Sequence, residues 1–345
     1  MARLESAGKS VQGRELWYMR ISDHIEFQTE PSEPEENEPK FLYIANMHGD
    51  EVVGRELTLH FIETLLSDYG HDNRITNLVD HSDLFVMPSM NPDGFELGQR
   101  HNRNGRDLNR NFPDFTSDPS DTQEGREPET KAVMNLHALH HFVLAANFHG
   151  GEVCMNIPWD TETNGRNADK FGDDRLMNEA GRNYTVLNAP MYANHRGSFD
   201  HGLTYGYEWY EVDGGMQDWA NYYRRSIHAT VELSKAKWPS SSTLAQYWVE
   251  NRESMLGYAE RSAIGAHLVI TDENGMPLPI ASKVVVRTQS RETIYDGPYI
   301  HRPLPNGTHD LTIEVLGRAA KRVSVTAELF AGEFLPVMLE SAKLQ

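Results

Sequence analysis

The spacing of apolar and polar residues changes period several times along the chain, and each change predicts an element. Residues 14–21 read as a strand, and residues 41–45 form the short apolar run of a buried one. Past a polar loop, Val53, Leu57, Phe61 and Leu65 recur every four residues with Ile62 and Leu66 alongside. That spacing predicts an amphipathic helix, closed by Gly70. Residues 83–87 and 142–148 are further buried-type strands, the second ending at His149, and Glu127-Pro128-Glu129-Thr130 reads as a helix start. Residues 229–234 add a strand with one carboxylate, Glu232, among apolar neighbours. Strands alternating with helices predict an α/β fold: a mixed, mostly parallel sheet flanked by helices, with its sites beyond the strand C-termini.

From Gly265 the pattern changes to short alternating strands at 267–271, 283–288, 311–315 and 322–326, with turns at Asn274-Gly275 and Asn306-Gly307. This predicts a small all-β sandwich. The boundary is placed after a helical stretch at 243–262, giving one domain over 1–262 and a second over 263–345. A chain of 345 residues accommodates both. Residues 30–40 read as an acidic, proline-bearing loop.

Charge narrows the range of partners. Lys and Arg total 32 against 51 Asp and Glu, a net charge of -19, which repels nucleic acid and anionic membranes and attracts cationic ligands. The longest apolar runs, such as 142–146, fall far short of the roughly 20 residues of a membrane span. Cys154 is the single cysteine, so no intrachain disulfide forms. No apolar N-terminal signal segment is visible, and the compartment stays open.

Candidate chemistry lies at the ends of the predicted strands. A catalytic zinc site takes three protein ligands and keeps a fourth position for water. His48 and Glu51, three residues apart on a turn entering a helix, can supply two ligands, with Gly49 letting the backbone bend. His149, followed by Gly150-Gly151, can be the third. Taken singly, His48 and Glu51 read more readily as a surface pair, and His149 as a satisfied buried histidine. Asn109 and Arg110 suit a carboxylate, because Arg offers a planar fork of donors. Glu232 in an apolar strand is placed to have a raised pKa and to act as a general base.

The segments His48 to Glu51, Arg100 through Asp114, Phe148-His149-Gly150-Gly151, Tyr210 through Trp219 and Thr230 to Leu233, in this order, resemble the zinc metallocarboxypeptidases. The β module resembles the transthyretin-like domain of their N/E, or regulatory, subfamily, so the likeness runs from about Gly8 to near residue 341. It implies one Zn2+ per chain, bound by His48, Glu51 and His149, with Glu232 as general base and Arg100 stabilising the oxyanion. It also implies that Asn109 and Arg110 grip the substrate's terminal carboxylate while Tyr210 closes over it. Asp160 and Gln217 match positions lining a pocket for a basic side chain. The implied substrates are peptide or protein C-termini ending in Arg or Lys, with no nucleic acid and no membrane span. By family resemblance a secreted or periplasmic location is favoured. A related deacylase and an inactive binding protein are the rival readings; the stretch from Tyr210 to Trp219 and the full residue set argue against them. His101, Arg103 and Arg106 make the approach to Asn109 unusually basic, and His140 and His141 match no motif and read as structural.

Overall fold

The computed structural model describes residues 1–25, 38–161, 173–289, 291–328 and 335–340; most of the expected acidic loop therefore lies outside the described residues. The N-terminal part begins with β1 (Ala2–Lys9), β2 (Glu15–Ile21), β3 (Lys40–Ala45), α1 (Val53–Asp68), α2 (Asn73–Asp80), β4 (Asp83–Met87) and α3 (Pro92–Leu97). It continues through α4 (Pro128–His140), β5 (Leu144–His149), β6 (Val153–Ile157), α5 (Asp174–Leu187), α6 (Ala189–Tyr192) and β7 (Leu203–Tyr205). Then come α7 (Gly206–Trp209), α8 (Met216–Tyr223), β8 (Ile227–Leu233) and α9 (Leu244–Glu260).

Eight strands form one mixed sheet in the order β1-β2-β4-β3-β5-β8-β6-β7. The central pairs β4·β3, β3·β5 and β5·β8 are parallel. Both faces are covered, which is why β3 and β4 read as apolar runs over 41–45 and 84–87. On β3, Phe41, Tyr43 and Ala45 face a cluster with Leu57 and Phe61 of α1, Tyr184 of α5 and Tyr258 of α9. Leu42 and Ile44 face Val133 and Leu136 of α4 and Trp219 of α8. Two phenols pin α9 to the sheet side: Tyr43 Oη donates to Met255 O (2.9 Å) and Tyr258 Oη to Ala145 O (3.0 Å). All four of Val53, Leu57, Phe61 and Leu65 are buried, as their spacing predicts.

The C-terminal part is richer in strands than its sequence pattern indicates. Seven strands, β9 (Gly265–Thr271), β10 (Lys283–Arg287), β11 (Glu292–Asp296), β12 (Tyr299–Pro303), β13 (Gly307–Val315), β14 (Lys321–Ala327) and β15 (Leu335–Met338), form two sheets. Their orders are β11-β10-β13-β14 and β12-β9-β15. A shared apolar cluster with Leu268, Ile270, Val284, Val286, Ile300 and Ile313 lies between them, which makes this a sandwich. The turn at Asn306-Gly307 carries the chain from β12 in one sheet to β13 in the other. Strand β12 escapes the periodic reading because Arg302 points inward, where Asp173 at the start of α5 neutralises it. Strand β1 escapes it as an edge strand with mostly polar, exposed residues.

Ending the chain at residue 262 would remove Arg302 and Arg291 from the buried Asp173 carboxylate. Leaving a buried charge without its partner typically costs about 3–5 kcal/mol. The truncated chain is therefore expected to be insoluble; a soluble 1–262 fragment with the full-length melting temperature would contradict this.

Candidate metal centre and substrate pocket

The topology brings three motifs together because β3, β5 and β8 are sheet neighbours running the same way. The loop after β3 carries His48 and Glu51, β5 ends in His149, and Glu232 on β8 sits directly opposite His149 in register. Asn46, at φ 57°, turns the chain sharply, and its Nδ2 donates to the carbonyls of His48 and Gly49. Gly49 is required for a reason other than bending: a Cβ there would lie 2.1 Å from Gly94 C and 2.3 Å from Phe95 N. That close approach lets Gly49 N donate to Arg100 O (3.2 Å), which stitches the Arg100 loop against His48.

His48, Glu51 and His149 are all buried, and their candidate ligand atoms lie within 4.8 Å of one another. His48 Nδ1, His149 Nδ1 and Glu51 Oε2 are each 3.0 Å from the other two. Ligands at about 2.0–2.1 Å from zinc in a tetrahedron stand roughly 3.3 Å apart, so the three donors fit that ion. The remaining ring nitrogens are also held. His48 Nε2 is 3.0 Å from Asp107 Oδ1, and His149 Nε2 is 2.7 Å from Asn147 Nδ2. A carboxylate partner such as Asp107 fixes ring orientation and ligand basicity.

The electrostatics of the cluster are strongly coupled. Burial alone would raise the Glu51 carboxyl, but the two imidazoles outweigh it and hold it well below the usual range. Burial also works against charge on Asp107, and His48 and Arg100 overcome it in the same way. His149 is pulled down by burial, whereas Glu51 and Asp107 push His48 up against its own burial. Glu232 is the counterexample: burial and then the Glu51 charge drive its carboxyl well above the usual range. Its Oε2 has no hydrogen-bond partner among the described residues.

A cavity of about 180 Å³ opens on this cluster, lined by His48, Glu51, Arg100, Asn109, His149, Asp160, Tyr210 and Glu232. Arg100 donates through Nε to Asp107 (2.9 Å), and its Nη1 lies 3.3 Å from Glu51 Oε1. Asn109 spends Oδ1 on Met216 N (3.0 Å) and keeps its amide donors. Tyr210 stands half-exposed at the rim; burial of its hydroxyl, with the charges of Glu232 and Asp160, pushes its pKa up to about 12. Asp160 is buried at the inner end, where Asn156 Nδ2 (2.7 Å) and Gln217 Nε2 (3.2 Å) donate to Oδ1. A Cβ on Gly206 would meet that oxygen at 1.9 Å, so only glycine leaves the carboxylate its place.

Two expected residues are not on the cavity wall. Arg110 is exposed and donates to its neighbour's carbonyl, Asn109 O; Gln217 lies behind Asp160. Arg103 and Arg106 are exposed outside the cavity, and His140 packs on Phe85 with ring centroids 4.5 Å apart. Conversely, sequence reasoning gave no role to Asp107, Asn147, Asn156 or Lys237, whose Nζ donates to Glu51 Oε1 at 2.8 Å. Asp107 could have been found inside its motif, and Asn147 from sharing a strand face with His149. A larger cavity of about 1050 Å³ between α5 and the C-terminal strands is lined by none of these groups.

Such a buried His₂Glu set at the C-terminal ends of parallel strands, beside an unpaired carboxyl, defines a zinc hydrolase site on an α/β sheet. Residues 1–254 match the model of the peptidase M14 family, zinc carboxypeptidase, and the chain belongs to that family. Carboxypeptidase D of Anas platyrhynchos is 39% identical over 92% of this chain and 24% of its own length. Carboxypeptidase M of Mus musculus is 37% identical over 85% of this chain and 68% of its own. This chain thus spans about a quarter of the carboxypeptidase D relatives it matches. These relatives place it in the N/E branch. Among solved structures, thrombin activatable fibrinolysis inhibitor shares the fold with a TM-score of 0.61 and 21% identity, over 76% of this chain and 69% of that one.

Asp107→Ala is expected to weaken zinc binding by about 10–100-fold, the usual effect of deleting a ligand's hydrogen-bond partner. Competition with a chromophoric chelator measures it. Wild-type affinity in the variant would remove Asp107 from the metal centre.

Proposed function

We propose that the chain hydrolyses the last peptide bond of peptides or proteins and releases a C-terminal Arg or Lys. The observation that carries this reading is the buried acceptor set at the inner end of the cavity. Asp160 sits there beside Asn156 Oδ1, an oxygen that has no hydrogen-bond partner among the described residues, while Gln217 supports Asp160 from behind. Leaving such an acceptor unmet costs about 1–3 kcal/mol. A guanidinium brings five N–H donors and an ammonium three, whereas an apolar side chain brings none.

In this reading His48, Glu51 and His149 hold one zinc ion, which when bound supplies Lewis-acid chemistry toward a carbonyl and acidifies water. Glu232, with its raised pKa, takes the proton of the attacking water and passes it to the departing amine. Arg100 faces the carbonyl oxygen and stabilises the charge that develops there. Asn109 grips the terminal carboxylate, Arg110 joins it by turning in from its bond to Asn109 O, and Tyr210 closes over both, so recognition of a chain end positions the final peptide bond. Residues 1–262 form the catalytic domain and 263–345 the transthyretin-like domain. The separate apolar cluster beginning at Ile264 and the end of the family match at residue 254 support that division. The charge of -19 favours basic peptides and disfavours nucleic acid. No helix among the described residues is long and apolar enough to cross a membrane.

Glu232→Gln is expected to keep zinc and to lose about 10²–10⁴-fold in turnover, as removal of a general base does. Near-normal activity with zinc bound would remove Glu232 from that role. Asp160→Ala should lower kcat/KM for Arg-ended peptides roughly 30-fold or more and leave Leu-ended ones little changed. A wild-type preference for Phe or Glu, or an Arg preference that survives the substitution, would overturn the pocket reading.

The pocket also sets a pH dependence. Burial lifts the Asp160 carboxyl to about 6, against the pull of Asn156 and Arg110. Asp160 is therefore neutral at lower pH, and its attraction for a cation is present above about 6 and lost as the pH falls through that value. The ratio of kcat/KM for Arg-ended over Leu-ended peptides is expected to drop across pH 7 to 5. Taking the ratio cancels effects on the metal centre common to both substrates. A flat ratio would show that Asp160 charge does not set the preference.

A further inference from the structure

We infer that Arg291, from the C-terminal part, is a positioning residue for the substrate pocket: through Asn221 it holds the end of α8, the helix that carries Gln217 and whose Asp218 fixes the Asp160 backbone. The inference rests on the reading of Asp160 and Gln217 as the pocket for a basic side chain.

Arg291 and Arg302 converge on one buried carboxylate. Arg302 on β12 donates to both oxygens of Asp173, and Arg291, just before β11, donates to Oδ2 at 2.8 Å. All three side chains are at least nine-tenths buried. Burial alone would raise the Asp173 carboxyl, but the two guanidinium groups hold it below its ordinary value. Asp173 immediately precedes α5 and holds Arg291 in place. At the pocket, the backbone N–H groups of Asp160 (3.0 Å) and Thr161 (2.9 Å) donate to Asp218 of α8.

Arg291 also reaches α8 itself. Its Nη2 donates to Asn221 O at 2.9 Å. That carbonyl is one of the last four of the helix, which have no partner within it and need an outside donor. Asn221 is one turn beyond Gln217, and its side chain donates to Gln217 O (2.9 Å) and His228 O (2.7 Å) while accepting from His228 N (3.1 Å). One guanidinium thus ties the end of α8 to Asp173. Gln217 and Asp218 lie at the other end of that two-turn helix. The geometry of the pocket depends in this way on a side chain from the C-terminal part that never touches substrate.

The test compares Arg291→Gln and Arg291→Lys, each alone and combined with Asp160→Ala, on one peptide ending in Arg or in Leu. Zinc content and melting temperature are measured for every variant. Arg291→Gln should raise KM for the Arg-ended peptide about 10-fold with kcat nearly unchanged, and leave the Leu-ended peptide within about 2-fold, because misplacement is felt only by the group that needs the pocket. Arg291→Lys, which keeps a charge for Asp173 without a second arm for Asn221, should fall between. In the Asp160→Ala background the effect of either variant should vanish. Equal losses on both peptides, an unchanged KM in folded zinc-loaded protein, or a loss undiminished by Asp160→Ala would each overturn the inference. If Arg291→Gln does not fold, Arg291→Lys is judged by the same criteria. An Arg preference that survives Asp160→Ala would defeat the pocket reading itself. A preference lost there but intact in the Arg291 variants would leave that reading standing and remove this one.

Discussion

Burying the Glu51 carboxylate, which is only 3% exposed, is costly by several kcal/mol unless its oxygens are matched by donors or charge. The site is organised around that match. Oε2 faces the Nδ1 atoms of His48 and His149 and accepts from Gly150 N at 3.1 Å. Oε1 accepts from Lys237 at 2.8 Å and lies 3.3 Å from Arg100. One oxygen is thereby committed to the two imidazoles and the other to two cations. This division requires the ends of β3, β5 and β8 to be adjacent, and it requires Gly49 to let the Arg100 loop approach. A sheet in any other order would separate the groups and leave the charge unpaired.

The same division sets Glu232 apart. It occupies the same enclosed space, yet Lys237 and Arg100 are already engaged with Glu51, and neither makes a hydrogen bond to it. Two carboxylates within one site thus differ in acidity through their partners, one held ionised and the other pushed up. Pairs driven apart in this way are the usual means of separating a ligand from a proton acceptor.

How much of this is legible in the sequence follows from where each constraint is recorded. The parallel strands were readable because both faces are covered, so 41–45 and 84–87 are apolar without interruption. The site residues were readable because loops at strand ends carry them as compact motifs. Lys237 was not, since it acts on a side chain brought near by folding: it reaches Glu51 across 186 positions. Strand β12 was hidden for the same reason, because the group that makes inward Arg302 tolerable is Asp173, 129 positions away. A motif fixes the place of a residue but not the direction of its side chain, and so Arg110 and Gln217 are in place without lining the cavity.

The inner end of the pocket shows why acceptors matter there as much as charge. Asp218 lies beneath Asp160 and takes its backbone N–H on both oxygens, at 3.0 Å each. Burial and the nearby Asp160 charge raise the Asp218 carboxyl well above its ordinary value. Two buried carboxyls this close do not both ionise readily, so the second acid adds little negative charge. Its contribution is to fix the Asp160 backbone. With the second acid adding little charge, discrimination rests on Asp160 and on the unmet Asn156 Oδ1 beside it. Acceptors discriminate only while they are held in register, and that is the requirement Arg291, from a different part of the chain, is placed to meet at the end of α8.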